Sequence, residues 1–294
     1  MRALDTGGPG GFSGKAEDLR IERVGTGDAV ALSGAWRYRA GEPLAKLPSL
    51  PRRLGEDPNV VTVLYNGMIA PIAPCAITGT IWYQGEANAH QAALYRRLLP
   101  TLIADWRARL GVGDFPFLIV QLANYSDRPE QPSESGWAEL REAQLMTART
   151  VPKTGLAVAI DVGERGDIHP KNKQDVAKRL ALAARAIAYG LPGEWSGPIY
   201  REMRVEGDAI ALAFDHCGRG LMARGGGDLV GFAIAGADRR FVWATARIDG
   251  ERVVVTSPEV REPAAVRYAW ANDPAGNLIN ADGLPASPFR TDAP

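Results

Sequence analysis

The sequence predicts an α/β layer built on a parallel sheet, followed by an all-β sandwich. Two patterns carry that expectation. From about residue 59 to 192, short apolar runs alternate with amphipathic stretches of helix length, as in parallel strands covered on both faces. After Pro192 the pattern changes to short β-prone runs punctuated by turns. The 294 residues, 46% hydrophobic and 23% charged, leave room for about two domains and a substantial core. The expected division is an irregular segment at 1–57, an α/β domain at 58–192 and a β-sandwich at 193–294.

In the first segment, Gly7 to Gly14 holds five glycines and a proline and reads as a loop. Short strands are expected around Leu19–Glu22 and Ala29–Leu32. Trp36–Arg39 alternates aromatic with basic residues and fits an edge strand. Pro43 to Pro58 is a proline-rich, charged connector.

The apolar run Val60–Tyr65 opens a helical stretch at Asn66–Ile72. Ala76–Tyr83 is a strand, β-branched or aromatic from Thr80 onward, running into the polar turn Gln84-Gly85-Glu86. Asn88 suits an N-cap, with Gln91 completing a capping box. Leu94, Leu98, Leu102 and Trp106 then recur every fourth residue, and Tyr95, Leu99, Ile103 and Leu110 widen that face. Pro100 should kink or divide this helix, and Gly111 and Gly113 end it.

Phe117–Leu122 is the next strand, Asn124–Ser135 a polar loop, Trp137–Met146 a helix and Gly155–Asp161 a third strand. The helix Lys171–Tyr189 carries Val176, Leu180, Ala183, Ala184 and Ile187 on one face, and Gly190 and Pro192 stop it. Ile210–Phe214, Leu229–Ile234, Phe241–Ile248, Arg252–Thr256 and Ala265–Trp270 are the sandwich strands.

Formal net charge is zero, so nothing points to nucleic acid or an anionic membrane as partner. No run of about 18 apolar residues predicts a membrane span, and Met1–Gly8 lacks an apolar signal core. Cys75 and Cys217 give neither a disulfide framework nor zinc-ligand spacing, and read as free buried thiols. No metal and no cofactor is expected.

The turn Gln84, Gly85, Glu86, with Asn88, places amide, backbone and carboxylate groups at the carboxyl end of a strand, where open α/β sheets bind ligands. There are three histidines. His90 follows that turn and His216 lies beside Cys217. His169 follows the strand ending at Asp161, in a glycine-containing loop, before a proline suited to a first helical turn. Asp167, two residues earlier, could orient it as a general base, and Asp161 is the alternative carboxylate. The competing reading is a capping histidine beside a solvated Asp.

Four strings, LYNGMIAPIAPCAITGTIWYQGEANA, WAELREAQ, DIHPKNKQDVAKRLALAA and VRYAWANDPAGNLINADGLPASPFRTD, resemble the sialate O-acetylesterase family in order and spacing, over roughly residues 28–294. The resemblance implies a serine esterase of the SGNH-hydrolase superfamily with a flavodoxin-like α/β fold. It implies an acetylated sugar or glycan as substrate and a periplasmic or extracellular setting. By the same resemblance, Gln84 donates its side-chain amide to an oxyanion and Gly85 permits a close turn. Glu86 and Asn88 order the loop or meet substrate hydroxyls, and His169 is the base. Gly166 stands three residues before His169, where the family's acid normally sits, so the orienting acid stays open between Asp167 and others. Asn66 and Gly67 would bring a further backbone donor, or else simply start a helix. Trp82, Tyr83 and Trp137 would stack on a sugar or pack a core.

The family's nucleophile block, a strand followed by Ser in a Trp-Gly-Gly type turn, has no counterpart here. Ser13, Ser33, Ser49 and Ser196 do not stand in such a context. The resemblance then implies that the first strand of the sheet is missing, leaving ladder groups and apolar faces of its neighbours uncovered. Three readings follow: a truncated form of an active enzyme, a separate chain supplying the first strand, or a non-catalytic carbohydrate-binding or structural relic. A metal-dependent deacetylase is a weaker fourth, since His-Asp-His spacing is lacking.

Overall fold

The computed structural model describes residues 15–23, 25–35 and 60–292. The expected glycine loop, the Trp36–Arg39 strand, the Pro43–Pro58 connector, Ser13 and Ser49 lie outside those residues. Packing gathers the chain into two units, residues 1–67 and 68–294.

In the first unit, β1 (Arg20–Glu22) and β2 (Ala29–Ala31) form an antiparallel pair with Ile21 opposite Val30. Asn66 and Gly67 belong to a π-helical turn, Tyr65–Ile69, where Asn66 Nδ2 lies 3.4 Å from Thr62 Oγ1.

The second unit opens with three parallel strands, β3 (Thr80–Trp82), β4 (Phe117–Val120) and β5 (Thr154–Ala157), in that order across the sheet. Ile81 pairs with Leu118 and Ile119 with Leu156. Side chains alternate across a strand, so β4 serves two cores. Phe117 and Ile119 join Tyr95, Leu99, Ile103, Leu140 and Leu156 in one cluster; Leu118 and Val120 join Val176, Leu180 and Ala183 in the other. Helices α1 (Ala92–Leu110) and α2 (Gly136–Thr150) supply the first core and α3 (Lys173–Ile187) the second. Among the described residues β3 forms one edge of the ladder, and Ile81 is 68% exposed.

Several local expectations are corrected. Pro100 does not divide α1, which runs through it; its lost N–H removes one ladder bond, while buried Leu99 and Ile103 hold both sides in the core. Asn88 is not an N-cap. A 3-10 segment, Glu86–Gln91, precedes α1, and the Asn88 side chain is used elsewhere. Pro170 lies outside α3, which is capped by Asn172 accepting from the Asp175 N–H at 3.1 Å. Cys75 is exposed, not buried, while Cys217 is half-buried; both are free.

Beyond α3 the chain builds two four-stranded antiparallel sheets. One contains β6 (Ile199–Glu206), β7 (Ala209–Asp215), β11 (Thr245–Asp249) and β12 (Arg252–Thr256), ordered β11-β12-β7-β6. The other contains β9 (Phe232–Ala235), β10 (Val242–Trp243), β13 (Ala265–Tyr268) and β15 (Phe289–Arg290), ordered β10-β9-β13-β15. Leu212 and Val253 of one and Ile234 and Val266 of the other lie in one apolar cluster, as in a sandwich. β8 (Leu221–Ala223) pairs with β14 (Leu278–Asn280) as a separate ribbon. Among the described residues, no helix is long and apolar enough to cross a membrane.

Candidate functional site

Because β3, β4 and β5 are parallel, the loops leaving residues 82, 120 and 157 emerge at one end of the sheet. That is the carboxyl end, and it carries the Gln84 turn and the His169 loop.

The Gln84 turn is held by hydrogen bonds on several sides. Gln84 Nε2 donates to Asn88 Oδ1 at 2.9 Å. Tyr95 Oη lies 3.0 Å from Gln84 Oε1 and 3.2 Å from its backbone oxygen, and accepts from Trp82 Nε1 at 3.2 Å. Gln144 Nε2 donates to the Gln84 carbonyl at 3.0 Å, while Gln144 Oε1 accepts from the Leu122 N–H at 3.0 Å. One side chain of α2 thus ties the ends of β3 and β4 together. Gly85 has φ +152°, and a Cβ there would collide with Leu140 Cδ2 and stand 3.3 Å from Gln144 Nε2. Only glycine fits that turn without strain. Glu86 opens the 3-10 segment, and the Asn88 N–H bonds the Gly85 carbonyl at 2.9 Å. Burial, and then the Glu86 charge, push the Tyr83 phenol up to about 12.

The loop after β4 is anchored by Arg141, fully buried on α2. Its guanidinium donates to the carbonyls of Leu122 (2.7 Å), Ala123 (2.8 Å), Ala271 (2.6 Å) and Asn272 (3.0 Å), joining this loop to the one that follows β13. Burial lowers its pKa to about 9, with the Asp273 charge opposing, so it stays cationic at neutral pH. Asn124 continues the tie: Nδ2 donates to Asp273 Oδ1 at 2.9 Å, and Oδ1 accepts from the Gly163 N–H at 2.7 Å. Three loops are therefore bonded to one another at this end of the sheet.

His169 stands in the loop after β5. Asp167 Oδ1 accepts from the His169 backbone N–H at 2.8 Å, and His169 Nδ1 is 3.6 Å from the same oxygen, beyond hydrogen-bond range. The imidazole is 88% exposed and the Asp167 side chain 43%. Asp161 is committed elsewhere. It takes a bidentate pair from Arg179 (2.6 and 2.7 Å) and a further contact from Arg224. Desolvation opposes its ionisation, but these guanidinium contacts hold its pKa below the ordinary value.

The structure thus brings Gln84, Gly85, Glu86 and Asn88 together in one turn, and Asp167 and His169 in another. Among the described residues, no hydrogen bond or ion pair joins His169 to Gln84. Asn66 and Gly67 belong to the first unit. Trp82 packs edge-on to Trp106 at 5.7 Å, and buried Trp137 donates to the Ala123 carbonyl at 2.8 Å, so both serve the core. Ser196 is buried with Oγ bonded to the Gly197 carbonyl. Among the described residues, no three His, Cys, Asp or Glu side chains gather as a metal site.

Tyr95, Arg141 and Gln144 were not singled out by sequence reasoning. The signal for two of them was present. Trp137, Leu140, Arg141 and Gln144 lie at helical spacing on one face, so Arg141 and Gln144 point a charge and an amide toward a core. Tyr95 read simply as part of an apolar face.

The arrangement offers an amide donor in a rigid turn and an exposed imidazole at one sheet end, parts that serve acyl transfer when a nucleophile stands between them. The model of the family described as carbohydrate esterase, sialic acid-specific acetylesterase, matches residues 56–186. A sialate O-acetylesterase of Mus musculus is 33% identical over 303 aligned positions, covering 92% of this chain and 54% of that protein. That of Homo sapiens is 39% identical over 162 positions, 49% of this chain and 31% of the relative. The crystal structure of a carbohydrate acetylesterase from Xanthomonas citri superposes with a TM-score of 0.73 at 50% identity, covering 79% of this chain and 54% of that one. The chain spans about half the length of the relatives that match most of it.

Proposed function

We propose, from the premise that this chain belongs through residues 56–186 to the sialic acid-specific acetylesterase family of carbohydrate esterases, that it serves hydrolysis of O-acetyl esters on carbohydrates. The observation that carries the reading is the Gln84 amide, fixed between Tyr95 and Asn88 on the sheet end that also bears His169.

In this mechanism a serine outside these 294 residues attacks the acetyl carbonyl. His169 takes the serine proton and returns it to the departing sugar oxygen. Gln84 Nε2 donates to the carbonyl oxygen as negative charge develops there, an interaction worth about 3–4 kcal/mol where such a donor has been removed. Gly85 lets the backbone turn closely beneath that oxygen. Water then releases acetate, with His169 acting in the reverse sense. Asp167 fixes the His169 backbone through the 2.8 Å bond and stands 3.6 Å from Nδ1, on the side from which it would orient the imidazole. Glu86 and Asn88 order the turn. The acetylated sugar is the partner, and an exported setting, periplasmic or extracellular, fits such a substrate.

A second reading is favoured by the exposure of His169 and its unbonded Nδ1: a non-catalytic carbohydrate-binding member. Hydrolysis of 4-nitrophenyl acetate separates the two, measured for this chain and for the chain extended upstream in its reading frame. Activity in the extended chain that is lost in His169→Ala supports the esterase. An extended chain that contains the serine block, stays inert and still binds acetylated glycans supports the second.

A further inference from the structure

We infer that Tyr95 is a positioning residue: its hydroxyl sets which way round the Gln84 amide stands and so keeps one Nε2 hydrogen free for an ester carbonyl. The inference rests on the donor role proposed for Gln84.

Proton accounting carries it. Trp82 Nε1–H can only donate, so Tyr95 Oη, 3.2 Å away, must accept. The phenol then has one proton for two oxygens of Gln84, the backbone oxygen at 3.2 Å and Oε1 at 3.0 Å. The backbone oxygen already receives Gln144 Nε2 at 3.0 Å. Among the described residues, Oε1 has only Tyr95 as a recorded donor. Giving the phenol proton to Oε1 therefore leaves neither oxygen short, and the shorter distance agrees.

That choice fixes the amide. With Oε1 toward Tyr95, Nε2 faces Asn88 Oδ1 at 2.9 Å and uses one of its two hydrogens. The second has no recorded acceptor among the described residues. The opposite orientation would press an N–H on a phenol oxygen that already accepts from Trp82. It would also send the phenol proton to a carbonyl already served, and require Asn88 to turn as well. Burial raises the Tyr95 pKa, so the phenol keeps its proton through the neutral range. A phenylalanine would fill nearly the same buried volume at residue 95, which is 3% exposed, so the hydroxyl is what the turn uses.

Two measurements test this. In the extended, active chain, Tyr95→Phe should lower kcat about tenfold with KM unchanged, since a donor that is misaligned keeps only part of its effect. In a Gln84→Ala background the same change should lower kcat no further. A loss of equal size in both backgrounds, or no loss in the first, overturns the inference. The second measurement needs no activity. In the 294-residue chain with 15N-labelled glutamine, the Gln84 side-chain signals are those that vanish in Gln84→Ala. Tyr95→Phe should bring the two Nε2 proton shifts together and speed their exchange with water. Unchanged signals overturn the inference. An inert extended wild-type chain containing the serine block refutes the donor role of Gln84, while the amide signals still decide whether Tyr95 holds it.

Discussion

Replacing Arg141 by Met removes the buried guanidinium that ties the loop after β4 to the loop after β13. Four carbonyls lose a donor, those of Leu122, Ala123, Ala271 and Asn272. Two retain another: Trp137 Nε1 still donates to Ala123 at 2.8 Å, and the Tyr125 N–H to Asn272 at 3.2 Å. Leu122 and Ala271 are left without a recorded donor. Each buried orphan costs about 1–3 kcal/mol. Methionine brings back apolar contact and relieves a buried charge, which offsets part of that sum. The net expectation is a loss of about 2–4 kcal/mol. Arg141→Lys should recover less than half, because a single ammonium cannot reach both loops with the planar fork of a guanidinium. Equilibrium urea unfolding of both variants measures it, with the slope checked for constancy. A loss in Arg141→Met below about 0.5 kcal/mol, the range of an ordinary surface change, would refute the reasoning.

Other outcomes follow from the same geometry. Gly85→Ala should cost about 2–6 kcal/mol, from a left-handed backbone strained by about 1–3 and overpacking against Leu140 of about 1–3; urea unfolding reads this. Gln84→Ala should lower kcat of the active form by about 100- to 1,000-fold with little change in KM, in steady-state acetate release. The Asp161 pKa is depressed in the folded chain, so its contribution is present above the unfolded value of about 3.9 and is lost as pH falls through the folded one. The urea midpoint should accordingly drop less steeply below about pH 4 in Asp161→Asn than in wild type. Glu194 is set the same way: desolvation opposes ionisation, but the bond to His216 Nδ1 at 2.8 Å and the Ser196 N–H lower its pKa, so Glu194→Gln should also flatten the acid limb.

Element type was legible wherever the hydrophobic period was strong. The Tyr95, Leu99 and Ile103 face of α1 and the apolar runs of β4 and β12 reflect burial that the sequence must encode, whereas Leu94 and Leu98, read as part of the same face, are each 44% exposed. Boundaries were less legible because they depend on polar partners. Asn88 has the residue type of an N-cap, but the Gln84 amide competes for its oxygen and wins. Pro100 looked like a breaker because local sterics do not register the two buried residues that hold α1 around it. Short strands such as β8, β14 and β15 have too few residues for a period to stand out. The placement of Gln84 and His169 in loops at the carboxyl end of the sheet could be read from residue context. Arg141 and Gln144 show as a charge and an amide on a core-facing helical face, but their partners and those of Tyr95 lie 11 to 131 positions away in sequence, which no local pattern displays.

The most direct test of the proposed esterase is acetate release from an O-acetylated sialoside by the chain extended upstream to include its serine block, with His169→Ala alongside. The account predicts turnover in the wild type and a loss of at least about 1,000-fold in the variant, as general acid–base roles of this kind supply about 100- to 10,000-fold. Turnover that survives His169→Ala, or no turnover from an extended chain carrying that serine, would contradict it.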